Sequence, residues 1–438
     1  MEELLSRLTF VDVFNGCVFL AFSVCYAYQF YYAFIALTRK PPLQAARTNH
    51  RFAVMIAARN ESCVIEDLLQ SIRNQNYPQG LIDVFVIADN CTDSTADIAR
   101  LHGATDVFVR HDKQYVGKGY ALDFGWKKIQ ERPDAKGYEA YFVFDADNVL
   151  DRNYFQEMNK VFDAGALAST SYRNSKNYNS NWISAGYAIW FLREAKYLNQ
   201  ARLTLNTSCA VSGTGFFIRA DVLQKHGGWK WHLLTEDIEF STQTISEGGR
   251  IAYCPTAILY DEQPTTFKDS WNQRFRWAKG FYQVFWHYAP RILRGIFANP
   301  KGCRFACYDM LMTIAPAMLL TVVTALFNAA VIGMTLLGCL SAETMLSTAA
   351  SSMFFCLFNY MLFMFIFGAL TTFTEWDSIH APKASKIKYM FTFPLFMITY
   401  IPIALAALFK KATWKPIRHT ISVDVERLGR QASELSEK

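Results

Sequence analysis

Asp145 and Asp147, then Thr235-Glu236-Asp237, then Gln273-Arg274-Phe275-Arg276-Trp277 are the residues of this chain whose types and spacing could do chemistry. Asp145 and Asp147 follow the apolar run at 140–144, and an extended backbone turns side chains two apart to one side. Two such carboxylates repel unless a cation joins them, and a divalent ion held by one or two carboxylates is completed by substrate phosphates. Oxygen ligands suit Mg2+ or Mn2+, and the ion would stabilise charge on a departing diphosphate. Asp237 lies before a helix expected from about Ile238 and is placed to deprotonate an attacking hydroxyl. Acids in a first helical turn behind a capping Thr are also explained by the helix dipole alone. With a metal-bound diphosphate leaving, one base suffices for an inverting displacement. Gln273, Arg276 and Trp277 are spaced i, i+3, i+4, so one helix face offers an amide, a guanidinium fork for diphosphate and an indole for stacking. Gly117-Lys118-Gly119 adds a flexible backbone and a cation at a helix start, a weaker phosphate signal.

The elements around these residues alternate. Apolar strand runs at 52–58, 82–88, 107–109 and 140–144 are separated by helical periodicity such as Val64, Leu68, Leu69 and Ile72. Strand, helix, strand in this order predicts an α/β domain with a mostly parallel sheet and helices on both faces. Ligands of such sheets bind outside the carboxyl ends of the strands. Glu61, Asp89 and Asp145 each follow or end a strand and should share one rim. Beyond Asp151 the pattern turns more helical and aromatic, followed by the turn Ser212-Gly213-Thr214-Gly215 and short strands at 250–254 and 258–260.

Apolar residues make up 52% of the 438 positions and aromatics 16%, concentrated towards the two ends. Uncharged runs at 13–37, 310–341, 346–374 and 389–409 reach the ~20 residues that cross a bilayer. Arg39, Lys40, Arg47 and Arg51 follow the first run and Arg7 precedes it, which places the central domain in the cytoplasm of a multi-pass plasma-membrane protein. Four crossings then put the tail outside, whereas Lys410, Lys411, Lys415 and Arg418 argue that it is inside. With Pro316, Pro394 and Pro402 in these runs, one late run is expected to be re-entrant or subdivided. The stretch 271–297, with Arg291, Arg294 and Trp286, should lie at the membrane interface. The net charge of +6 fits a membrane face, and no basic stripe suggests nucleic acid. The chain thus divides into 1–47, a first span and linker; 48–267, the cytoplasmic domain; 268–306, the Gln-x-x-Arg-Trp and interfacial helices; 307–412, the later spans; and 413–438, a basic tail.

In the order and identity of its motifs the chain resembles the membrane-embedded, processive family-two glycosyltransferases, the group of cellulose, chitin and hyaluronan synthases. The motifs D-x-D, T-E-D and Q-x-x-R-W stand here as Asp145-Ala146-Asp147, Thr235-Glu236-Asp237 and Gln273-Arg274-Phe275-Arg276-Trp277. The resemblance implies the GT-A fold and a UDP-sugar donor, with a growing β-glycan as acceptor and the bilayer as partner. It implies Glu61 and Asp89 at the uridine, Lys118 and Asp145 at the diphosphate, and Asp147 with Asp145 at the metal. Asp237 would be the base, Gln273, Arg276 and Trp277 would bracket diphosphate and acceptor, and Ser212, Gly213, Thr214 and Glu236 would lie beside the acceptor. Trp182, Trp190, Trp229 and Trp231 are either packing or sugar platforms. Three features depart from the family: Asn90 stands where a second acid is common, there is one amino-terminal span where several relatives have two, and no cyclic-dinucleotide domain follows the spans. The expected activity is polymerisation and export of a β-glucan from UDP-glucose. The alternatives are a UDP-GlcNAc polymer of hyaluronan or chitin type, single transfer to a membrane lipid, and a silent binding protein.

Overall fold

The structure is a computed structural model that describes residues 9–42, 45–298, 303–339, 343–412 and 419–422. Arg7, Lys415, Arg418 and most of the tail assigned to 413–438 lie outside the described residues. Helices α1 (Phe10–Tyr26) and α2 (Tyr28–Thr38) meet end to end at Ala27. The domain then alternates β1 (Phe52–Ala58), α3 (Ile65–Arg73), β2 (Ile82–Asp89), α4 (Thr95–Leu101), β3 (Asp106–Arg110), α5 (Lys118–Gln130) and β4 (Ala140–Asp145). It continues through β5 (Val149–Leu150), α6 (Tyr154–Asp163), β6 (Ala168–Ser175), α7 (Trp182–Arg193), a π-turn (Glu194–Asn199) and α8 (Gln200–Thr204). The remaining domain elements are β7 (Phe216–Arg219), α9 (Ala220–Lys225), α10 (Glu236–Ser246) and β8 (Ile251–Asp261).

The eight strands form one sheet in the order β3-β2-β1-β4-β7-β6-β8-β5. The half read from the sequence is parallel, with β1 flanked by β2 and β4 and with β3 outside β2. The other half is mixed: β7 runs antiparallel to β4 and β6, while β8 runs parallel to β6 and antiparallel to β5. The sheet is thus mostly parallel, as expected, with antiparallel pairings confined to its second half, and the two short strands expected at 250–254 and 258–260 are one strand, with a register shift opposite Ser171/Tyr172. Alternation along β1 feeds two cores. Phe52, Val54 and Ile56 pack with α3 and α6 on one face, and Ala53 and Met55 pack with α5 and α7 on the other. Ile65, Leu68, Leu69 and Ile72 give α3 the apolar stripe that meets the sheet.

Beyond the domain come α11 (Phe267–Ala298), α12 (Arg304–Ile314), α13 (Pro316–Leu336), α14 (Glu343–Thr374), α15 (Lys383–Ile398) and α16 (Tyr400–Phe409). Among the described residues four runs are long and apolar enough to cross a membrane: 10–38, 304–336, 350–374 and 383–409. Two of the late runs are subdivided where one was expected, at Pro316 and before Pro402, whereas Pro394 lies inside α15. The break at Ala315 directly precedes Pro316, and α15 stops at Ile398, whose carbonyl Pro402 has no N–H to meet. The last run is bound to the domain. Tyr389, Phe393 and Phe396 join the core that holds α7, and Gly186 is the close-approach point, because a Cβ there would sit 2.3 Å from the Phe396 ring. Next in the chain, Lys279 donates to the carbonyl of Ala407 at 3.0 Å, tying α16 to α11. The chain then returns to the strand rim, where Thr420 and Ile421 donate backbone N–H groups to Glu262 at 3.1 and 2.9 Å.

Candidate active site

The parallel pairing sets the rim. Ala58 pairs with Ala88 and Ala57 with Asp145, so Glu61, Asp89 and Asp145 leave the sheet along one edge, as their strand-end positions imply. The Asp89 carboxylate is buried and accepts from Arg110 Nη1 at 2.6 Å; burial raises its pKa against the pull of that guanidinium. Asn90, at φ 55°, replaces a charge with structure: its side chain donates to the carbonyl of Asp112 and accepts from the Asp112 N–H. Lys118 opens α5 and reaches Asp145 Oδ1 at 2.5 Å and the carbonyl of Gly213 at 2.7 Å. Burial opposes the Lys118 charge, but Asp145, Glu236 and Asp237 outweigh it and raise its pKa. Gly119 follows because the helix passes so close to Trp231 that a Cβ would lie 2.2 Å from that residue's carbonyl.

Asp145 and Asp147 do not lie on a continued strand. β4 ends at Asp145 and the chain turns, which leaves Asp145 partly exposed at the cavity and Asp147 buried. Asp147 accepts from the Glu262 N–H at 2.9 Å. Burial works against its charge, but His419, Lys176 and Arg173 hold its pKa below the usual value. The pair thus points to one site by a turn rather than by an extended backbone.

Asp237 stands in the first turn of α10, which begins at Glu236 rather than Ile238. Burial raises its pKa against the N–H groups of Ile238 and Gly213 and the charge of Lys118. Glu236 beside it is pushed up to about 8 by burial and by Asp237, with Lys118 opposing. The expectation that Thr235 caps this helix fails. Its side chain makes no cap hydrogen bond, and its hydroxyl is buried without a partner against Gly280. Of the expected acceptor turn, Ser212 and Gly213 line the cavity. Thr214 is buried, and its hydroxyl accepts from the Asp145 N–H at 2.9 Å and donates to Asn148, so it braces the end of β4. Gly215 takes φ 66°, and a Cβ there would lie 1.8 Å from Leu259.

On α11 the three residues share one face and all line the cavity. Among the described residues Arg276 has no hydrogen bond or ion pair, and Gln273 Oε1 is buried without a partner. Burial lowers the Arg276 pKa while Glu236, Asp145 and Asp237 resist. A half-buried guanidinium without a partner among the described residues, close enough to Glu236, Asp145 and Asp237 to feel their charge, can offer its fork to an anion. Trp277 packs edge-on against Tyr187 at 5.7 Å. Of the four tryptophans expected as packing or sugar platforms, Trp229 and Trp231 are core residues, Trp190 lines the cavity and Trp182 packs at the core's edge.

Sequence reading missed several residues. Arg173 on β6 pairs with Asp261 (Nε to Oδ2, 2.6 Å) and donates to the carbonyl of Ser212 at 2.9 Å. Glu194 opens the π-turn and lines the cavity. His419 places Nδ1 2.9 Å from Glu61 Oε2. Burial opposes protonation of that ring, but Asp147, Glu61 and Glu262 raise its pKa to about 10. The only local signal was charge inside apolar or alternating runs at Arg173 and Glu194; nothing near His419 marked it.

One cavity of about 1660 Å3 connects all of this. It begins at Glu61, Lys118 and Asp145, passes Asp237, Arg276 and Trp277, and continues between α1, α13, α14 and α16. Tyr26, Phe22, Phe19 and Asn15 line it in successive turns of α1, facing Phe355, Phe363 and Leu320. The donor set fits a hard divalent ion in part. Asp145 and Asp147 supply oxygens, but among the described residues no three His, Cys, Asp or Glu converge on one point, so substrate phosphates would have to complete the shell.

Residues 50–280, more than half of the chain, match the profile of the family described as glycosyltransferase like family 2. A β-monoglucosyldiacylglycerol synthase of Nostoc is 29% identical over 271 residues, 59% of this chain and 54% of that protein. A poly-β-1,6-N-acetyl-D-glucosamine synthase of Staphylococcus aureus is 25% identical over 279 residues, 63% of each chain. The chain thus spans about half to two thirds of the length of these relatives. A solved mannosyltransferase of Pyrobaculum calidifontis, in complex with GDP-Man and Mn2+, superposes with TM-score 0.54 at 17% identity, covering 90% of this chain and 99% of that one, which establishes the shared fold.

Proposed function

The chain belongs to the glycosyltransferase-like family 2, and on that premise we propose that it transfers a hexose, with inversion, from a UDP-sugar to an acceptor lipid that reaches Asp237 from the membrane. The observation that carries this is the single cavity joining the phosphate-binding rim, Asp237 and an apolar cleft between the spans. Lys118 and the unpaired Arg276 take the diphosphate, Glu61 and Asp89 flank the nucleoside, and Gln273 and Trp277 hold the junction of donor and acceptor. Asp237 takes the proton of the attacking hydroxyl as the anomeric carbon–oxygen bond to diphosphate breaks. Asp145 and Asp147 would hold a Mg2+ or Mn2+ ion, which when bound neutralises charge on the departing diphosphate.

The lining of the membrane part supports a lipid acceptor. Phe19, Phe22, Phe355, Phe363 and Leu320 give a polyol chain few hydrogen-bond partners but suit acyl chains. The diacylglycerol glucosyltransferase among the relatives supports the same choice. A second reading, an exported β-linked polymer, is favoured by the length of the cleft. From Asn15 to Tyr26 it follows α1 for roughly 16 Å at 1.5 Å per residue, and a polymer synthase is also among the relatives.

The test is purified protein with labelled UDP-glucose or UDP-GlcNAc, Mg2+ or Mn2+, and membrane lipids. A chloroform-soluble product of one or two sugars supports the lipid reading and a long water-soluble glycan the second. No transfer and no free UDP from any donor refutes both. Asp237→Asn should lose at least 10²-fold in turnover, the scale of a general base, while still binding UDP.

A further inference from the structure

The helical segment from Trp182 to Thr204 runs along the cavity from its aromatic wall towards the first span, and it is broken by the π-turn Glu194–Asn199. Such single turns re-aim side chains and are common at functional sites. The residue opening this turn, Glu194, lines the cavity, and among the described residues its carboxylate has no hydrogen bond and no ion pair. Burial and Asp237 disfavour its charge, while Arg202, Arg173 and Arg193 favour it. Each of those cations is engaged elsewhere. Arg202 holds Asp309 through two bonds of 2.8 Å, Arg173 holds Asp261, and Arg193 donates to Gln29 Oε1 at 2.8 Å while lying over the rings of Trp190 and Phe367. The lone pairs of Glu194 are therefore left for something in the cavity. Its place is specific too: it is near enough to Asp237 to feel its charge, and its neighbour Arg193 touches the head of α2. Glu194 and Asp237 thus line one cavity, the one that also opens between the spans.

We propose that Glu194 is the acceptor-binding carboxylate. It accepts a hydrogen bond from a hydroxyl next to the one that Asp237 deprotonates, and so selects a neutral hydroxylated head group over a phosphorylated one. This rests on the transferase reading above. A hydroxyl supplies the donor that the carboxylate lacks, and the bond is charge-assisted. A phosphate monoester would bring a second anion against both Glu194 and Asp237 and is rejected by like-charge repulsion.

The full chain in detergent micelles tests this with two readouts: UDP release without acceptor, which reports donor binding and folding, and transfer to diacylglycerol, monoglucosyldiacylglycerol or phosphatidic acid. Glu194→Ala is expected to raise KM for the neutral acceptors about 10- to 100-fold, the scale of one hydrogen bond to a charged group. UDP release and donor KM should stay within about twofold. Glu194→Gln, which keeps an accepting oxygen without the charge, should lose less and should relax discrimination against phosphatidic acid. An unchanged acceptor KM in Glu194→Ala, a parallel fall in UDP release, or a wild-type preference for the phosphorylated acceptor overturns the assignment. Wild-type protein that releases no UDP from any donor overturns the transferase reading and takes this assignment with it, a result distinct from an active wild type indifferent to Glu194.

Discussion

Gly280 is the point where the helix carrying Arg276 and Trp277 touches the helix carrying Asp237. A Cβ at this position would stand 2.4 Å from Thr235 Cγ2, 2.5 Å from Oγ1 and 2.9 Å from Cβ. Carbon atoms pack at about 3.5–4.0 Å, so Gly280→Ala lacks about 1 Å of space. Thr235 is β-branched and stiff at χ1, and rotation cannot clear all three atoms. The heads of α10 and α11 must part by about that distance. Thr235 is two residues before Asp237, so the base moves relative to Arg276 and Trp277. A 1 Å misplacement costs on the order of 10²-fold in rate. Stability should change far less, because Ala gains about 1 kcal/mol over Gly in a helix interior against about 1–3 kcal/mol for overpacking. The expected result is a kcat about 100-fold down, read as UDP release in the presence of acceptor, with the thermal midpoint within a few degrees of wild type. Thr235→Ala removes two of the three clashing atoms, and its hydroxyl has no partner to forfeit. The double variant should therefore recover most of the lost rate, a coupling that independent sites do not show. A wild-type kcat in Gly280→Ala, or a double variant no faster than Gly280→Ala alone, refutes the close approach as the device that registers base and arginine.

Four further outcomes follow from the structure. With a pKa near 8, Glu236 is mostly neutral at pH 7; as pH rises through 8 it adds a negative charge beside Asp237 and Asp145, facing the diphosphate, so wild-type turnover should fall there while Glu236→Gln holds its rate, and identical alkaline limbs would refute this. On the acid side, Asp237 must be ionised to act as base and burial raises its pKa, so both proteins should lose activity as pH falls, over a range above that of an exposed aspartate. Gly215→Ala forces a side chain into φ 66° and to 1.8 Å from Leu259, and should yield protein that fails to fold, whereas recovery of folded, active protein would contradict the packing. In a cysteine-free background, Lys411→Cys and Thr92→Cys should be labelled by an impermeant maleimide from the same side of the membrane, and labelling from opposite sides would refute the placement of the tail beside the domain.

The rim acids were legible because apolar strands ran straight into them. Glu61, Asp89 and Asp145 are where periodicity stops, and a parallel sheet converts three such stops into one edge. Gln273, Arg276 and Trp277 were legible because i, i+3, i+4 is a statement about a helix face whatever the helix packs against. The second half of the sheet was not. β6 reads Ala-Ser-Thr-Ser-Tyr-Arg-Asn-Ser, polar residues buried because they bond across strands, as Ser171 Oγ does to the carbonyl of Gly215 at 2.7 Å. A buried strand of that kind carries no apolar signature. Thr235 misled in the opposite way: its position is that of a cap, but Gly280 takes its side chain as packing. Glu194 depends on a π-turn, which has no sequence pattern of its own, and the His419 contact with Glu61 spans 358 positions.

The conflict between charge and span count has a physical origin in the last apolar run. Counting assumes that every run of sufficient length crosses, yet length is necessary and not sufficient. The run 383–409 is split at Thr399, and its first half buries Tyr389, Phe393 and Phe396 in the core of the domain. Its second half, the ten residues of α16, covers only about 15 Å, and it is fixed to α11 through Lys279. Thr420 and Ile421 then meet Glu262, on the same side of the helices as the nucleotide rim. We read these contacts as three crossings rather than four, since an even number of crossings after the domain would bring the tail back to it. With three, Lys410 and Lys411 lie on the side of Arg39 and Lys40, and the positive charges agree with one another. On that reading the helix left out of the count is the one that packs on α7, and the wall bearing Glu194 would be braced by a segment at the membrane face rather than through it.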